Sequence, residues 1–323
     1  MFDAPLMGQA PFLSNLASSA ARVTELAAIA AWSQIGRGNE MAADQLAVDA
    51  MRTALNALDI DGRIVIGEGE RDEAPMLFIG EKVGTGAGPA VDIALDPLEG
   101  TTLTAKAMAG ALTVLAMSEG GGMLHAPDTL MDKIAIGPGY PEGTVDLDRA
   151  PTANVRSLAA AKGVGTEDVS VCVLDRPRHA DLIAELREAG ARVVLISDGD
   201  VAGVIHTTEA EAGIDLYLGS GGAPEGVLAA AALKCVGGQF QGRLIFRNDD
   251  ERTRASRIGI RDFDRKYDLH ELVSRDAVFA ATGVTKGAIL DGVVIRRGLV
   301  STHTVVMDSS TRTIRRIRMT RPL

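Results

Sequence analysis

The chain has 323 residues, 46% hydrophobic and 24% charged, the balance of a folded globular protein and not of a disordered or collagen-like one. Its 33 Lys and Arg against 43 Asp and Glu give a formal charge of −10, which argues against a polyanion such as DNA as the main partner. Aromatic residues are only 3%, too few for nucleobase stacking platforms, so the core must be built from Ala, Val, Ile, Leu and Met.

In chain order, helical spacing of Leu26, Ala27, Ala30 and Ala31 predicts a helix from Ser18 to about Ile35. A second helix is predicted from about Met41 to Leu58, with Ala47, Val48, Met51, Leu55 and Leu58 on its apolar stripe. Asp44 lies one turn before Val48 on that same stripe, an inward carboxylate. Arg63 to Ile66 reads as a short buried strand ending in a glycine-spaced acid cluster, Gly67 to Glu73. Val91 to Leu95 is another, running directly into Asp96-Pro97-Leu98-Glu99-Gly100-Thr101. Ala111 to Met117 is a third apolar run, so this half is expected to be α+β.

Turn formers crowd the stretch from Gly137 to Pro151, and a domain boundary is expected there or shortly after, dividing residues 1–160 from 161–323. Beyond it the pattern alternates: strand Val169 to Leu174, helix Ala180 to Ala189, strand Arg192 to Ile196, helix Val201 to His206, strand Asp215 to Leu218, helix Glu225 to Val236. Such an order implies a parallel sheet whose ligands bind beyond the carboxyl ends of its strands. Those ends carry Asp175 to Arg178, Ser197 to Asp200 and Gly219 to Glu225. Val300 to Met319 alternates around Asp308-Ser309-Ser310 as a hairpin would. Its arginines (312, 315, 316, 318 and 321) read as a solvated strand face or a subunit contact.

Cys172 and Cys235 are too few for a disulfide framework and form no CxxC pair. The N-terminus lacks a basic segment followed by an apolar one, and no run of about 18 residues lacks a polar interruption. A cytoplasmic protein with no membrane partner is expected. The sequence contains no GxxxxGK[ST], no GxGxxG after a strand, no HExxH and no GxSxG.

What the sequence does concentrate is hard oxygen: Asp44, Glu68, Asp96, Glu99 and Glu225. Gathered carboxylates repel one another unless divalent cations neutralise them, and all-oxygen ligation suits Mg²⁺ and Mn²⁺. A site for two or more such ions is expected. Pro97 fixes a tight turn so that flanking acids can face one ion, while Gly100 lets a phosphate approach the backbone. Arg176 and Arg178 offer forked donors to a second phosphate, and Asp198 and Asp200 acceptors to sugar hydroxyls.

The acid-Pro-hydrophobe-acid-Gly-Thr motif resembles that of the metal-dependent, lithium-sensitive phosphatases. The chain is most similar to the class II (GlpX-type) fructose-1,6-bisphosphatases, through Gly36-Arg37-Gly38 with Ala43-Asp44, Ile66 to Glu70 with Asp72 to Leu77, Asp96 to Thr101, Ala126-Pro127-Asp128, Lys133, Gly221 to Gly226 and Ala281 to Gly287. The resemblance implies a layered α/β/α/β/α sugar-phosphatase fold. It implies hydrolysis of the 1-phosphate of fructose 1,6-bisphosphate, in gluconeogenesis or carbon fixation, by a homo-oligomer (dimer or tetramer). Asp44 and Glu68 would hold one metal and Asp96, Glu99 and Glu225 a second, with Thr101 and Glu68 catalytic. Substrate would lie against Glu99, Gly100, Thr101, Leu130, Arg176, Pro177, Arg178, Asp198, Gly199, Asp200 and Gly222. Leu130 stands where the family often has Tyr, and Glu40 where some members have Lys. Sedoheptulose 1,7-bisphosphate hydrolysis and a non-catalytic sugar-phosphate sensor are the competing expectations.

Overall fold

A computed structural model describes residues 12–69 and 76–323. The acids Glu70, Asp72 and Glu73 lie outside the described residues. The N-terminal part runs α1 (Phe12–Trp32), α2 (Glu40–Asn56), β1 (Asp61–Ile66), β2 (Lys82–Val83), β3 (Ala90–Glu99), α3 (Thr101–Ala105) and β4 (Leu112–Glu119). Next come β5 (Leu130–Ile136), α4 (Pro151–Lys162), β6 (Ser170–Leu174), α5 (Ala180–Glu188), β7 (Arg192–Ile196), α6 (Asp200–Ile205), β8 (Leu216–Gly222), α7 (Ala223–Val236) and β9 (Gln239–Ile245). The C-terminal part contains α8 (Asp249–Arg257), β10 (Lys266–Asp268), α9 (Leu269–Leu272), β11 (Ala277–Gly283), β12 (Val294–Arg296), β13 (Leu299–Asp308) and β14 (Thr313–Pro322).

The strands form two mixed sheets, an α/β architecture. In the first, β13-β11-β4-β3-β1-β2 are neighbours, with β14 along one edge of β13 and β12 paired to its first residues. The second has the order β10-β9-β5-β8-β6-β7. Within it β7, β6 and β8 are parallel, as the alternating strand and helix order requires. The C-terminal hairpin is β13 and β14, with Asp308 opposite Thr313.

Residue 160 falls inside α4, and the strands do not divide there. β5, which precedes it, pairs with β8 and β9 in the second sheet, while β11 to β14 return to the first. The partners are far apart in sequence, Thr113 opposite Thr282 and Ile134 opposite Leu218, so local turn composition carries no signal of them.

Alternation along each strand sets the layers. Ile93, Leu95, Leu115, Met117, Val278 and Ala280 pack with α1 and α2 on the outer face of the first sheet. Ala94, Val114, Ala116, Phe279 and Ala281 face the other way, into a core shared with α7. In the second sheet Val171, Val173, Leu216 and Leu218 pack with α4 and α5, whereas Cys172 and Tyr217 join the α7 core. Helix α7 is buried all round from Val227 to Leu233, as befits a helix touching β3, β4, β11 and β13 on one side and β5, β8 and β9 on the other. The Ala-rich stretches at Leu26 to Ala31 and Leu228 to Leu233 therefore pack within the subunit. Among the described residues no helix is long and apolar enough to cross a membrane.

Candidate active site

A cleft of about 360 Å³ is lined by Asp44 of α2, Glu68 after β1, Asp96 of β3, Gly100 and Thr101 at the start of α3, Asp128, Asp198, and Glu225 of α7. Local chemistry explains how β3 delivers its residues. Asp96 is opposite Val114, but the register slips before Glu99 meets Leu112, a bulge at Pro97 and Leu98. Proline has no N–H to give the ladder, and Asp96 Oδ1 accepts from Leu98 N at 3.0 Å instead. Gly100 then takes φ 89°, which turns the chain so that Thr101 opens α3 at the cleft wall.

Glu99, expected as a ligand, is not among the residues lining this cleft; its carboxylate accepts from Val201 N at 2.7 Å and Ala202 N at 3.3 Å at the start of α6. Those N–H groups have no acceptor inside their own helix, and Glu99 supplies it. Asp200 is likewise engaged: buried, it forms a short ion pair with Lys133, which also donates to the Gly222 carbonyl at 2.7 Å. Lys133 is 1% exposed, inward on β5 between Met131 and Ala135. Neither Lys133 nor Asp128 has a role in the sequence reading. A lysine in phase with buried apolar neighbours on one strand face is the signal for the first, whereas nothing local distinguishes Asp128.

Among the other expected substrate contacts, Leu130 and Gly222 face each other across β5 and β8. Gly222 closely adjoins Glu225: a Cβ there would lie 1.7 Å from Glu225 Oε2. Arg176 donates to the carbonyls of Asp175 at 3.1 Å and Ser197 at 2.6 Å, with its Nη2 3.8 Å from Asp198 Oδ1. Gly199 N donates back to Asp198 Oδ1 at 3.1 Å. Pro177 opens the turn that carries Arg178, whose Nε and Nη2 donate to Ser220 Oγ and the Ser220 carbonyl at 3.0 and 2.7 Å. Arg176, Pro177, Arg178 and Gly199 thus stand beyond the cleft lining, on the carboxyl-end loops of the second sheet.

The cleft is electrostatically unfavourable as it stands. Withdrawal from water raises Glu68 to about 8, with help from Asp44 and Glu225. Burial raises Asp96 well above its ordinary range, with Glu68, Glu99 and Glu225 adding to it. Glu225 is raised to about 7 by burial and Asp200, against the pull of Lys133. Burial alone raises Asp44. Asp198 is raised by burial, opposed by Gly199 N–H and Arg176 and reinforced by Asp200 and Glu40, so Glu40 adds negative charge to the site.

Five acids lining one cleft, Asp44, Glu68, Asp96, Asp198 and Glu225, all pushed toward the neutral form, fit a hard divalent cation by donor type and by charge. Glu225 Oε2 is buried with no hydrogen-bond partner among the described residues, an acceptor awaiting a cation. Among the described residues no three acids close on one point, so the donors ring the cleft rather than forming a finished coordination shell.

The chain matches the family described as bacterial fructose-1,6-bisphosphatase, glpX-encoded, over residues 14–321. It is 45% identical over 318 residues, covering 94% of each chain, to fructose-1,6-bisphosphatase 1 class 2 of Escherichia coli (strain K12). The same identity and coverage hold for fructose-1,6-bisphosphatase class 2 of Shigella flexneri. The chain belongs to the glpX-encoded bacterial fructose-1,6-bisphosphatase family.

Proposed function

We propose that this family member hydrolyses fructose 1,6-bisphosphate at its 1-phosphate, giving fructose 6-phosphate and inorganic phosphate. The observation that carries the reading is the meeting of Thr101 with Asp44, Glu68, Asp96 and Glu225 in one cleft, in a chain of this family. Those four carboxylates would hold two or more divalent ions, Mn²⁺ or Mg²⁺, whose Lewis acidity would act on the phosphoryl oxygens and the attacking water. The Thr101 hydroxyl, fixed at the first turn of α3, orients that water. Glu68, which lines the same cleft as Thr101, accepts its proton.

Arg176 and Arg178 receive the remote phosphate, and Asp198 accepts from sugar hydroxyls. Each arginine already donates to backbone carbonyls, which fixes its plane before substrate arrives. Pro177, Gly199, Asp200, Leu130 and Gly222 shape the surroundings, Asp200 through its ion pair with Lys133. Retention of Thr101 at the cleft favours catalysis over a sensor role, since a sensor needs no water-positioning hydroxyl. A cytoplasmic homo-oligomer, dimer or tetramer, is proposed on the family resemblance.

The test is phosphate release from fructose 1,6-bisphosphate, sedoheptulose 1,7-bisphosphate and inositol monophosphate, with Mn²⁺, with Mg²⁺ and with EDTA. Fructose 1,6-bisphosphate should be fastest, with nothing released in EDTA. Thr101→Ala should lower kcat about a hundredfold or more with KM little changed. No release from fructose 1,6-bisphosphate with either ion refutes the activity, and an unimpaired Thr101→Ala variant removes Thr101 from the mechanism.

A further inference from the structure

The Ala281 to Gly287 segment has no part in the cleft, yet its end carries an exposed lysine, Lys286, on the rim of a second cavity. This cavity, about 370 Å³, is lined by Lys286, His303 and Arg318, by the hydroxyl residues Thr285, Ser301 and Thr302, and by Ile35, Val284 and Val293. Its one acid, Asp291, pairs with Arg318 at 2.7 Å and lies 3.7 Å from His303 Nδ1. Asp291 N donates to His303 Nδ1 at 3.0 Å, so the ring, held neutral by burial, carries its proton on Nε2. Thr302 Oγ1 is buried with no hydrogen-bond partner among the described residues.

Two full positive charges against one negative leave the cavity net cationic in a chain of charge −10. The Asp291 and Arg318 side chains are 41% and 68% exposed, so their pair is weak and open to exchange for a dianion. A phosphoryl group offers three acceptor oxygens to Lys286, Arg318 and the hydroxyls, and the aliphatic wall offers contact to an organic body. We infer that this cavity is a second anion site, taking an organic phosphomonoester as an effector.

Its wall also bears on the active site. Ala107, another lining residue, has φ 53°, a costly conformation for a residue with a Cβ, and lies two residues beyond the end of α3. The segment around it is held from both sides: Gly36 N donates to Thr104 O at 2.9 Å, and Ala111 N to Thr285 Oγ1 at 2.9 Å. Helix α3 carries Thr101 at its other end, only five residues long. A ligand bridging Lys286 and Arg318 would share its cavity with Ala107, on the segment that follows the helix carrying Thr101.

The test is calorimetric titration of the full chain, in EDTA, with phenylphosphonate, whose P–C bond a phosphatase does not cleave, and with inorganic phosphate. Phenylphosphonate should bind, and more tightly than inorganic phosphate. Lys286→Gln and Arg318→Gln should each weaken it about tenfold while Arg178→Gln leaves it unchanged. No binding at millimolar ligand, equal affinity for the two anions, or loss only in Arg178→Gln overturns the proposal. Because the readout is binding without turnover, its failure is separate from failure of the phosphatase reading.

Discussion

Gly222 shows how a residue without a side chain controls one with a charge. Its φ of −64° and ψ of 140° suit any residue, so glycine is not there for backbone freedom. It is there for space, since a Cβ would stand 1.7 Å from Glu225 Oε2 and 2.5 Å from Glu225 Cδ. Gly222→Ala should therefore fold normally while forcing the Glu225 carboxylate out of place. We expect thermal stability within a few degrees of the parent, turnover reduced about tenfold or more, and a higher Mn²⁺ concentration needed for half-maximal rate. An unchanged Mn²⁺ dependence would show that Glu225 is not a ligand. Asp44, Glu68, Asp96 and Glu225 are legible in the sequence because each follows or ends a strand, opens a helix or breaks an apolar stripe, whereas Asp128 is not. Lys133 was harder to assign, because its reason is Asp200, 67 residues away and on another element. Such a pair is costly to break, since either charge left alone in that core would be uncompensated.

At the scale of elements, Glu99 links the first sheet to the second. It ends β3, and its carboxylate caps the N-terminus of α6, which packs on β6 and β8. Sequence spacing predicts Glu99 beside Asp96 on one turn, and the turn is there; a bulge falls between them, with Asp96 accepting from Leu98 N and Glu99 from Val201 N. That twist depends on tertiary pairing with β4 and so is not readable locally. Replacing Glu99 with Ala strands two buried N–H groups and should cost about 2–3 kcal/mol in urea unfolding, while Glu99→Gln, which keeps one oxygen, should cost less than about 1 kcal/mol. Equal losses for both variants would count against the capping role. A Gln variant that is stable but has lost metal-dependent turnover would return Glu99 to the ligands. Periodicity predicts α2, β6, α5 and β7 to within about two residues, but it singles out neither β5 nor β11 as strands, and their pairing across the chain leaves no local mark.

Across the whole molecule, the gathered acids make stability depend on pH in a direction that can be derived. Glu68 and Glu225 have ordinary values of 4.5 and are raised to about 8 and about 7 in the folded, metal-free chain. Between those limits the folded state binds more protons than the unfolded one, so stability falls as pH rises, and the contribution is gone above the folded values. Two opposing sets of groups act elsewhere. Acids held low, among them Asp146 and Asp291 by cationic partners and Glu271 by the Asp268 N–H and then Arg265, lose their contribution only in acid. Histidines 125, 179, 206 and 303, lowered by burial from 6.5, favour folding increasingly up to that value and are then spent. From about pH 6.5 to about 8 the balance is therefore set by the carboxyls that burial raises, those of the cleft together with Glu99. In EDTA, Tm should fall across this range. With Mn²⁺ the fall should shrink, and the Tm gain from the ion should be larger at the alkaline end, where fewer protons must be displaced. Thermal scans at both ends, with and without the ion, decide this. A flat or rising Tm in EDTA would mean that the acids of the cleft are not raised, and a uniform gain from Mn²⁺ would place the ion away from them.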